Sequence, residues 1–163
     1  IGTGTGYLLP ALAHHFERVI AVDPVERMLQ AARSRVERAK LGNVELHSGD
    51  LTALPLADET ADLALAVLVL HHVPVPAEAA AELYRIVKDG ARLMIVEQRA
   101  HDDEAFRERM QDPWWGFQQN ELCSLIASAG FADVIASVLH DVERAADAPE
   151  LFVITGRKSR PRR

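Results

Sequence analysis

Short runs of aliphatic and β-branched residues alternate along this chain with longer segments of helical periodicity. Four such runs have the length and composition of buried strands, at residues 18–23, 44–47, 61–70 and 91–97. A helical pattern over residues 24–40 separates the first two runs, and another over 76–88 separates the last two. Because parallel strands need long crossover connections, usually helices, this alternation predicts an α/β fold built on a parallel sheet.

The remaining segments continue this pattern. Pro24 follows Asp23 and is expected at the first position of the second helix. Gly130 follows a helical segment, at the position past a helix end that favours glycine. The other predicted elements are helices at 6–16, 101–111 and 118–129, and two strands at 134–140 and 151–156 joined by a polar loop.

Length and composition limit the possible functions. The 163 residues suit one domain, expected over 1–156, followed by a solvated basic tail at 157–163. A net charge of -6 argues against nucleic-acid binding, which needs clustered Lys and Arg. The longest apolar run, at 63–70, is too short to span a membrane. The single cysteine, Cys123, excludes an internal disulfide and predicts a reducing, cytoplasmic compartment.

The chain opens with three glycines at alternate positions, Gly2, Gly4 and Gly6. Glycine permits positive φ and a close approach of the backbone to a ligand, and the helix that follows offers free N–H groups. Such a loop needs a strand before it, so we expect upstream residues, including a first strand, on which ligand binding depends. A dinucleotide fingerprint would place its third glycine one residue later, where Tyr7 stands.

Two aspartates follow the next two strands. Asp23 ends the second expected strand of the sheet, and its carboxylate could accept both hydroxyls of a ribose; alternatively it caps the helix that follows. Asp50 follows the next strand and could accept a hydrogen bond from an adenine amino group; alternatively it is an ordinary turn residue. The glycine loop before them favours the ligand role for both.

These elements, in this order, resemble the class I S-adenosylmethionine-dependent methyltransferases. The resemblance continues through residues 23–29, 49–51 and 68–73 and covers nearly the whole chain. It implies a Rossmann-like, doubly wound, mostly parallel sheet with an antiparallel last strand, the first strand being missing from this chain. It also implies S-adenosylmethionine as cofactor and the transfer of its methyl group to a small-molecule acceptor.

The resemblance implies a role for individual residues as well. The three glycines would flank the methionine moiety, Asp23 would hold the ribose, Met28 would pack against adenine, and Asp50 and Leu51 would recognise its edge. The implied cofactor-binding residues are Gly2, Gly4, Gly6, Asp23, Pro24, Met28, Gly49, Asp50, Leu51, Val67 and Leu68.

Within the family, the chain looks most like the enzymes of menaquinone and ubiquinone biosynthesis. The stretch 101–131 is similar to a narrower subgroup, in which the domain follows a winged-helix regulator of the arsenical-resistance-repressor type. That subgroup implies a DNA-binding domain upstream. It leaves open an alternative function, a ligand-sensing domain without turnover.

His71 and His72 leave the fourth expected strand of the sheet at its carboxyl edge, where open α/β sheets bind ligands. Either could act as a general base near neutral pH, and either could be structural. Three further polar residues, Glu97, His101 and Asp102, follow the next strand to the same edge, although an acidic run at 102–104 also suits a helix N-terminus.

Three aromatic residues, Trp114, Trp115 and Phe117, precede the last helix. They could wall an apolar acceptor site or pack a loop onto the core. No metal site is expected, because the His14–His15 and His71–His72 pairs are adjacent in sequence, and adjacent side chains do not point together in a helix or a strand.

Overall fold

A computed structural model describes residues 1–102, 113–140 and 149–159. The chain forms two compact units that divide after Pro55, an N-terminal unit (residues 1–55) and a C-terminal unit (residues 56–163). No helix in the described ranges is both long and apolar enough to cross a membrane.

The N-terminal unit consists of two helices that pack on two parallel strands. Its strands pair in parallel, from Val19 opposite Val44 to Asp23 opposite Ser48. A small core, formed by Leu9, Val19, Ala21 and Ala32, lies between the strands and the helices. The elements are α1 (Leu9–His15), β1 (Val19–Asp23), α2 (Glu26–Ala39) and β2 (Val44–Ser48).

Both helices of this unit begin later than the sequence predicts. Helix α1 starts at Leu9 rather than at Gly6, because the glycine loop continues as a turn. Helix α2 starts at Glu26, with Val25 as its N-cap, so Pro24 lies outside the helix and the prediction of a first-position proline is wrong. The chain leaves α2 through Lys40, whose φ of 52° is left-handed.

The C-terminal unit contains a four-stranded sheet in the order β3-β4-β6-β5. Strand β3 pairs with β4 in parallel, and β6 is antiparallel to both of its neighbours. This confirms the predicted α/β class and the antiparallel last strand. The elements are β3 (Ala61–Val67), a 3-10 turn (Leu70–His72), α3 (Pro76–Ile86), β4 (Val87–Gln98), α4 (Gln119–Ser128), β5 (Phe131–Val138) and β6 (Leu151–Lys158).

Two boundaries in this unit differ from the prediction. Strand β3 ends at Val67 instead of continuing to residue 70, because Leu68 takes a left-handed φ of 55°. Helix α3 ends at Ile86 and β4 begins at once, with an irregular register between Val87 and Arg92. Gly90 (φ 81°) therefore lies within this irregular strand start.

In the described part of this unit, large apolar side chains of α3, α4, β4 and β6 lie in the core. Leu83 of α3, Leu93 of β4, Leu122 of α4 and Phe152 of β6 are each at most 1% exposed. Each Å² of apolar surface that these side chains bury on folding stabilises the unit by roughly 25 cal/mol.

The predicted basic tail begins inside the sheet. Strand β6 continues to Lys158, whose side chain is buried and donates a hydrogen bond of 3.0 Å to the Val87 carbonyl. Arg157 and Lys158 are thus strand residues rather than part of a solvated terminus. The predicted helix at 101–111 and the loop before β6 lie largely outside the described residues.

Candidate functional site

The glycine loop precedes α1 in the N-terminal unit. Gly2, Gly4 and Gly6 all have positive φ, of 65°, 54° and 73°. The Thr3 N–H donates to the Val22 carbonyl of β1 at 3.0 Å, which attaches the loop to the strand. These φ values confirm the prediction of left-handed glycines. Glycine is favoured at such positions because a β-carbon makes this backbone conformation costly for other residues.

The second and third glycines of the loop have different surroundings. A β-carbon at Gly4 would meet nothing within 4 Å, so this glycine borders open space. A β-carbon at Gly6 would lie 2.8 Å from Leu9 Cδ1 and 3.1 Å from Ala32 Cα. Gly6 therefore allows close packing on α2, whereas the absence of a side chain at Gly4 leaves room for a ligand.

Asp23 ends β1 and is 6% exposed. Its Oδ2 accepts a hydrogen bond of 2.7 Å from the Gly4 N–H, and its Oδ1 accepts one of 2.9 Å from the Val25 N–H. The carboxylate thus connects the glycine loop to the strand end instead of capping α2. A carboxylate has about four acceptor positions, so two remain for hydroxyl donors such as those of a ribose.

Gly49 and Asp50 follow β2 at the same strand edge, since the Gly49 N–H donates to the Asp23 carbonyl at 3.3 Å. A β-carbon at Gly49 would lie 2.4 Å from Pro55 Cδ, so only glycine fits there. Asp50 accepts hydrogen bonds from the Thr52 N–H at 2.8 Å and the Thr52 hydroxyl at 2.7 Å. These bonds hold the pKa of Asp50 below its usual value, so the exposed carboxylate is charged at neutral pH.

The three other predicted cofactor residues of this unit lie beside these. Leu51 is buried, Met28 is half-buried on α2, and Pro24 is exposed. Together the loop, Asp23 and Asp50 provide an open glycine and two carboxylates at the carboxyl ends of parallel strands. This arrangement suits the hydroxyl and amino donors of an adenosine, the group that the sequence predicts.

A buried carboxylate organises the segment after β3 in the C-terminal unit. Glu97 of β4 is fully buried, and its Oε1 accepts the Val69 N–H at 2.9 Å and the Leu70 N–H at 2.7 Å. Its Oε2 lies 2.8 Å from His71 Nδ1 and accepts the Gln98 N–H at 3.1 Å. The sequence identified Glu97 only as a polar edge residue; its position directly after the apolar run 93–96 was the available signal.

The other predicted residues of this edge differ in exposure. His71 is 4% exposed, and its ring centroid lies 4.1 Å from that of the exposed His72. Leu68 is 38% exposed and Val67 is half-buried. Strand β3 and the 3-10 turn thus place one histidine inside the unit and one at its surface.

The residues after β4 form backbone hydrogen bonds with the segment 113–117, which contains the three predicted aromatic residues. The His101 N–H donates to the Trp115 carbonyl at 3.1 Å, and Asp102 is exposed. Gly116 has a φ of 79°, and a β-carbon there would lie 2.4 Å from the Arg99 carbonyl oxygen. Of the predicted acidic run at 102–104, only Asp102 lies among the described residues.

Two of the three predicted aromatic residues line an apolar cavity. The Trp114 indole N–H donates to the Val73 carbonyl at 2.9 Å, and its ring stacks on Phe117 with centroids 5.8 Å apart. Trp115 does not line the cavity. The cavity has a volume of about 370 Å³ and is lined by Pro74, Val75, Pro76, Ala77, Trp114, Phe117, Glu121, Leu122 and Leu125.

The described residues contain no group of three or more His, Cys, Asp or Glu side chains that could hold a metal ion. Cys123 is a free thiol, and partial burial raises its pKa. A raised pKa keeps this thiol protonated, so it is a poor nucleophile.

A family model described as "Methyltransferase domain" matches residues 1–95. Demethylmenaquinone methyltransferase of Lactiplantibacillus plantarum is 35% identical over 103 residues, 61% of this chain and 44% of that protein. Phosphatidylethanolamine N-methyltransferase of Cereibacter sphaeroides is also 35% identical over 103 residues, 63% of this chain and 50% of that protein.

The fold has solved counterparts. The structure of a SAM-dependent methyltransferase from Aquifex aeolicus matches with a TM-score of 0.75 and 25% identity, over 96% of this chain and 78% of that one. The curated relatives are longer than this chain: the matched region is 28% of one such relative and 47% and 50% of two others.

Proposed function

Because the chain belongs to the family of methyltransferase domains, we propose that it transfers the methyl group of S-adenosylmethionine to a small-molecule acceptor. The carrying observation is the Asp23 carboxylate, which is buried at the end of β1 and bound to the N–H of Gly4, the glycine that borders open space. One carboxylate in this place both shapes the loop and offers acceptors to a ribose.

This geometry supports a proposed assignment of the cofactor to individual residues. The open glycine loop would hold the methionine end, and Asp23 would accept the ribose hydroxyls. Asp50 is charged and exposed after β2, which suits an adenine amino donor. Met28, Pro24, Gly49 and Leu51 would surround the base. The roles of Val67 and Leu68 in cofactor binding stay predictions from the sequence.

We propose an apolar, ring-containing acceptor of the quinol type. The cavity beside Trp114 and Phe117 is apolar except for Glu121, and aromatic walls favour a flat ring. The demethylmenaquinone methyltransferase relative supports this class of acceptor. His71 and His72 are the proposed catalytic residues, since they follow β3 near this cavity. The backbone N–H of Trp114, a residue that lines the cavity, donates to the His71 carbonyl at 3.3 Å.

The chain has one cysteine, and we place the protein in the reducing cytoplasm. Two narrower sequence predictions, the link to a winged-helix regulator and ligand sensing without turnover, stay predictions. An experiment separates sensing from catalysis, because a sensor binds the cofactor but transfers no methyl group.

The test, carried out on the full-length protein, combines calorimetry with S-adenosylhomocysteine and an assay with methyl-labelled S-adenosylmethionine and a reduced naphthoquinone. We expect saturable binding with micromolar affinity and labelled product. Binding without transfer to quinols, phenols or amines would support the sensing function. The absence of both binding and transfer would contradict the proposed function.

A further inference from the structure

We propose that Glu121 determines which rings bind in the cavity beside Trp114 and Phe117. Its carboxylate accepts the hydroxyl hydrogen of a neutral aromatic ring and repels an anionic ring. This inference rests on the proposed function only in naming the ring as the methyl acceptor, because the binding preference itself belongs to one cavity of the C-terminal unit. It narrows the acceptor to rings that carry a hydroxyl group, such as a phenol or a quinol.

The first step of the argument concerns the walls of the cavity, which are held by contacts within the protein. The Trp114 indole N–H donates to the Val73 carbonyl at 2.9 Å, and its ring stacks on that of Phe117 at an interplanar angle of 26°. Another part of the wall contains Pro74 and Pro76, whose rings fix the backbone φ. Because these groups are ordered without a ligand, a flat ring can bind at little cost in ordering the site.

The second step concerns the polar groups of the lining. Among the described residues that line the cavity, Glu121 is the only one with a charged side chain. The other polar side-chain group, the indole N–H of Trp114, already donates to Val73. The side chains of the described lining therefore offer a ligand a hydrogen-bond acceptor and no free donor.

The third step is that the Glu121 carboxylate is available to a ligand. Glu121 is exposed, and no hydrogen bond or ion pair engages its side chain within the part of the chain that the structure describes. Exposed glutamates are ionised at neutral pH, and an ionised carboxylate only accepts hydrogen bonds. A ring hydroxyl supplies the donor that this carboxylate lacks, whereas a ring carboxylate brings a second negative charge beside it.

A carboxylate near a helix N-terminus also stabilises the helix without any ligand. Glu121 is the third residue of α4 and lies in its first turn. Glu78 is the third residue of α3, is likewise exposed and does not line the cavity. The two glutamates therefore share the effect on the helix and differ in their relation to the cavity, so Glu78 provides a matched control.

The first test measures binding and needs no methyl transfer. Three ligands with the same ring system, 2-naphthol, 2-methoxynaphthalene and 2-naphthoate, would be titrated at neutral pH into the full-length wild type, Glu121→Gln and Glu78→Gln. The ¹⁵N–¹H signal of the Trp114 indole reports whether a ring enters the cavity. We expect the wild type to bind 2-naphthol about 5-fold to 20-fold more tightly than 2-methoxynaphthalene, which has no donor, and to bind 2-naphthoate most weakly.

The two substitutions separate the charge in the cavity from the effect on the helix. Glu121→Gln should weaken 2-naphthol binding by about 5-fold to 20-fold and strengthen 2-naphthoate binding, because the amide is uncharged and its NH₂ group can donate. Glu78→Gln should change neither affinity. Equal wild-type affinities for 2-naphthol and 2-methoxynaphthalene, equal effects of the two substitutions, or a Trp114 signal that responds to none of the ligands would overturn the proposal.

The second test distinguishes failure of this inference from failure of the proposed function. In the methyl-transfer assay with a reduced naphthoquinone, Glu121→Gln should raise the KM for the quinol by about 5-fold to 20-fold and leave the KM for S-adenosylmethionine unchanged. Methyl transfer with the same quinol KM in Glu121→Gln and Glu78→Gln would overturn the role of Glu121 while the proposed function stands. A wild type that transfers no methyl group but prefers 2-naphthol through Glu121 would contradict the proposed function and support the binding preference.

Discussion

Asp23 joins three segments of the N-terminal unit through one residue. Its two carboxylate oxygens accept the N–H groups of Gly4 and Val25, and its carbonyl accepts that of Gly49. A hydrogen bond to a charged acceptor contributes about 1.5–3 kcal/mol. Substitution of Asp23 should therefore affect both the loop and any ligand that the loop holds.

We expect Asp23→Asn to weaken S-adenosylhomocysteine affinity by about 10-fold to 100-fold, the equivalent of one or two lost charged hydrogen bonds. The thermal midpoint should fall too, because the amide NH₂ cannot accept the N–H of Gly4 or Val25. Asp62→Asn, at an exposed carboxylate paired with Lys88, is the control and should change neither quantity. Unchanged affinity in Asp23→Asn would mean that Asp23 only shapes the loop.

At the scale of elements, the glycine loop separates a packing role from a binding role. Gly6 brings the loop onto Leu9 of α1 and Ala32 of α2, whereas Gly4 borders open space. Both positions have positive φ, so alanine at either one introduces a comparable backbone strain, about 1–2 kcal/mol. The difference between the two substitutions therefore comes from their surroundings.

We expect Gly6→Ala to lower the free energy of unfolding by about 1–3 kcal/mol more than Gly4→Ala does, because its methyl group overpacks the contact with α2. Gly4→Ala should instead lower S-adenosylhomocysteine affinity, since its methyl group enters the proposed ligand space. Gly42→Ala is the control, because its β-carbon meets nothing within 4 Å and φ there is not positive. Chemical denaturation and calorimetry of the three variants measure both effects. Equal affinity in Gly4→Ala and Gly42→Ala would contradict the assignment of the loop to the cofactor.

For the molecule as a whole, the spacing of the three glycines bears on which cofactor is bound. The loop turns into α1 after Gly6, and Tyr7, which is 77% exposed, occupies the position of the third dinucleotide glycine. A side chain there hinders the close approach of a pyrophosphate to the helix N-terminus.

We therefore expect no saturable binding of NADH in a fluorescence titration. S-adenosylhomocysteine, measured by calorimetry on the same preparation, is the positive control and should bind. Saturable NADH binding with micromolar affinity would contradict the assignment of S-adenosylmethionine as the cofactor.

Much of the fold could be read from local patterns. Strands β1 and β2, the glycine after α4 and the left-handed loop follow from side-chain periodicity and β-carbon sterics, which act over a few residues. The errors fall where one aliphatic run contains a boundary, as at Leu68, or where a charged residue finds distant partners, as Lys158 does with Val87.

The sequence by itself determined the α/β class, the glycine loop and the aspartate that ends β1, because each depends on neighbouring residues and on strand order. Only the tertiary structure decided that Asp23 binds the loop instead of capping α2, that Trp114 and Phe117 but not Trp115 line a cavity, and that Glu97 holds His71. The physical reason is that these are hydrogen bonds and packing contacts between residues far apart in the chain. Their partners are selected by which strands and turns meet, and no local pattern contains that information.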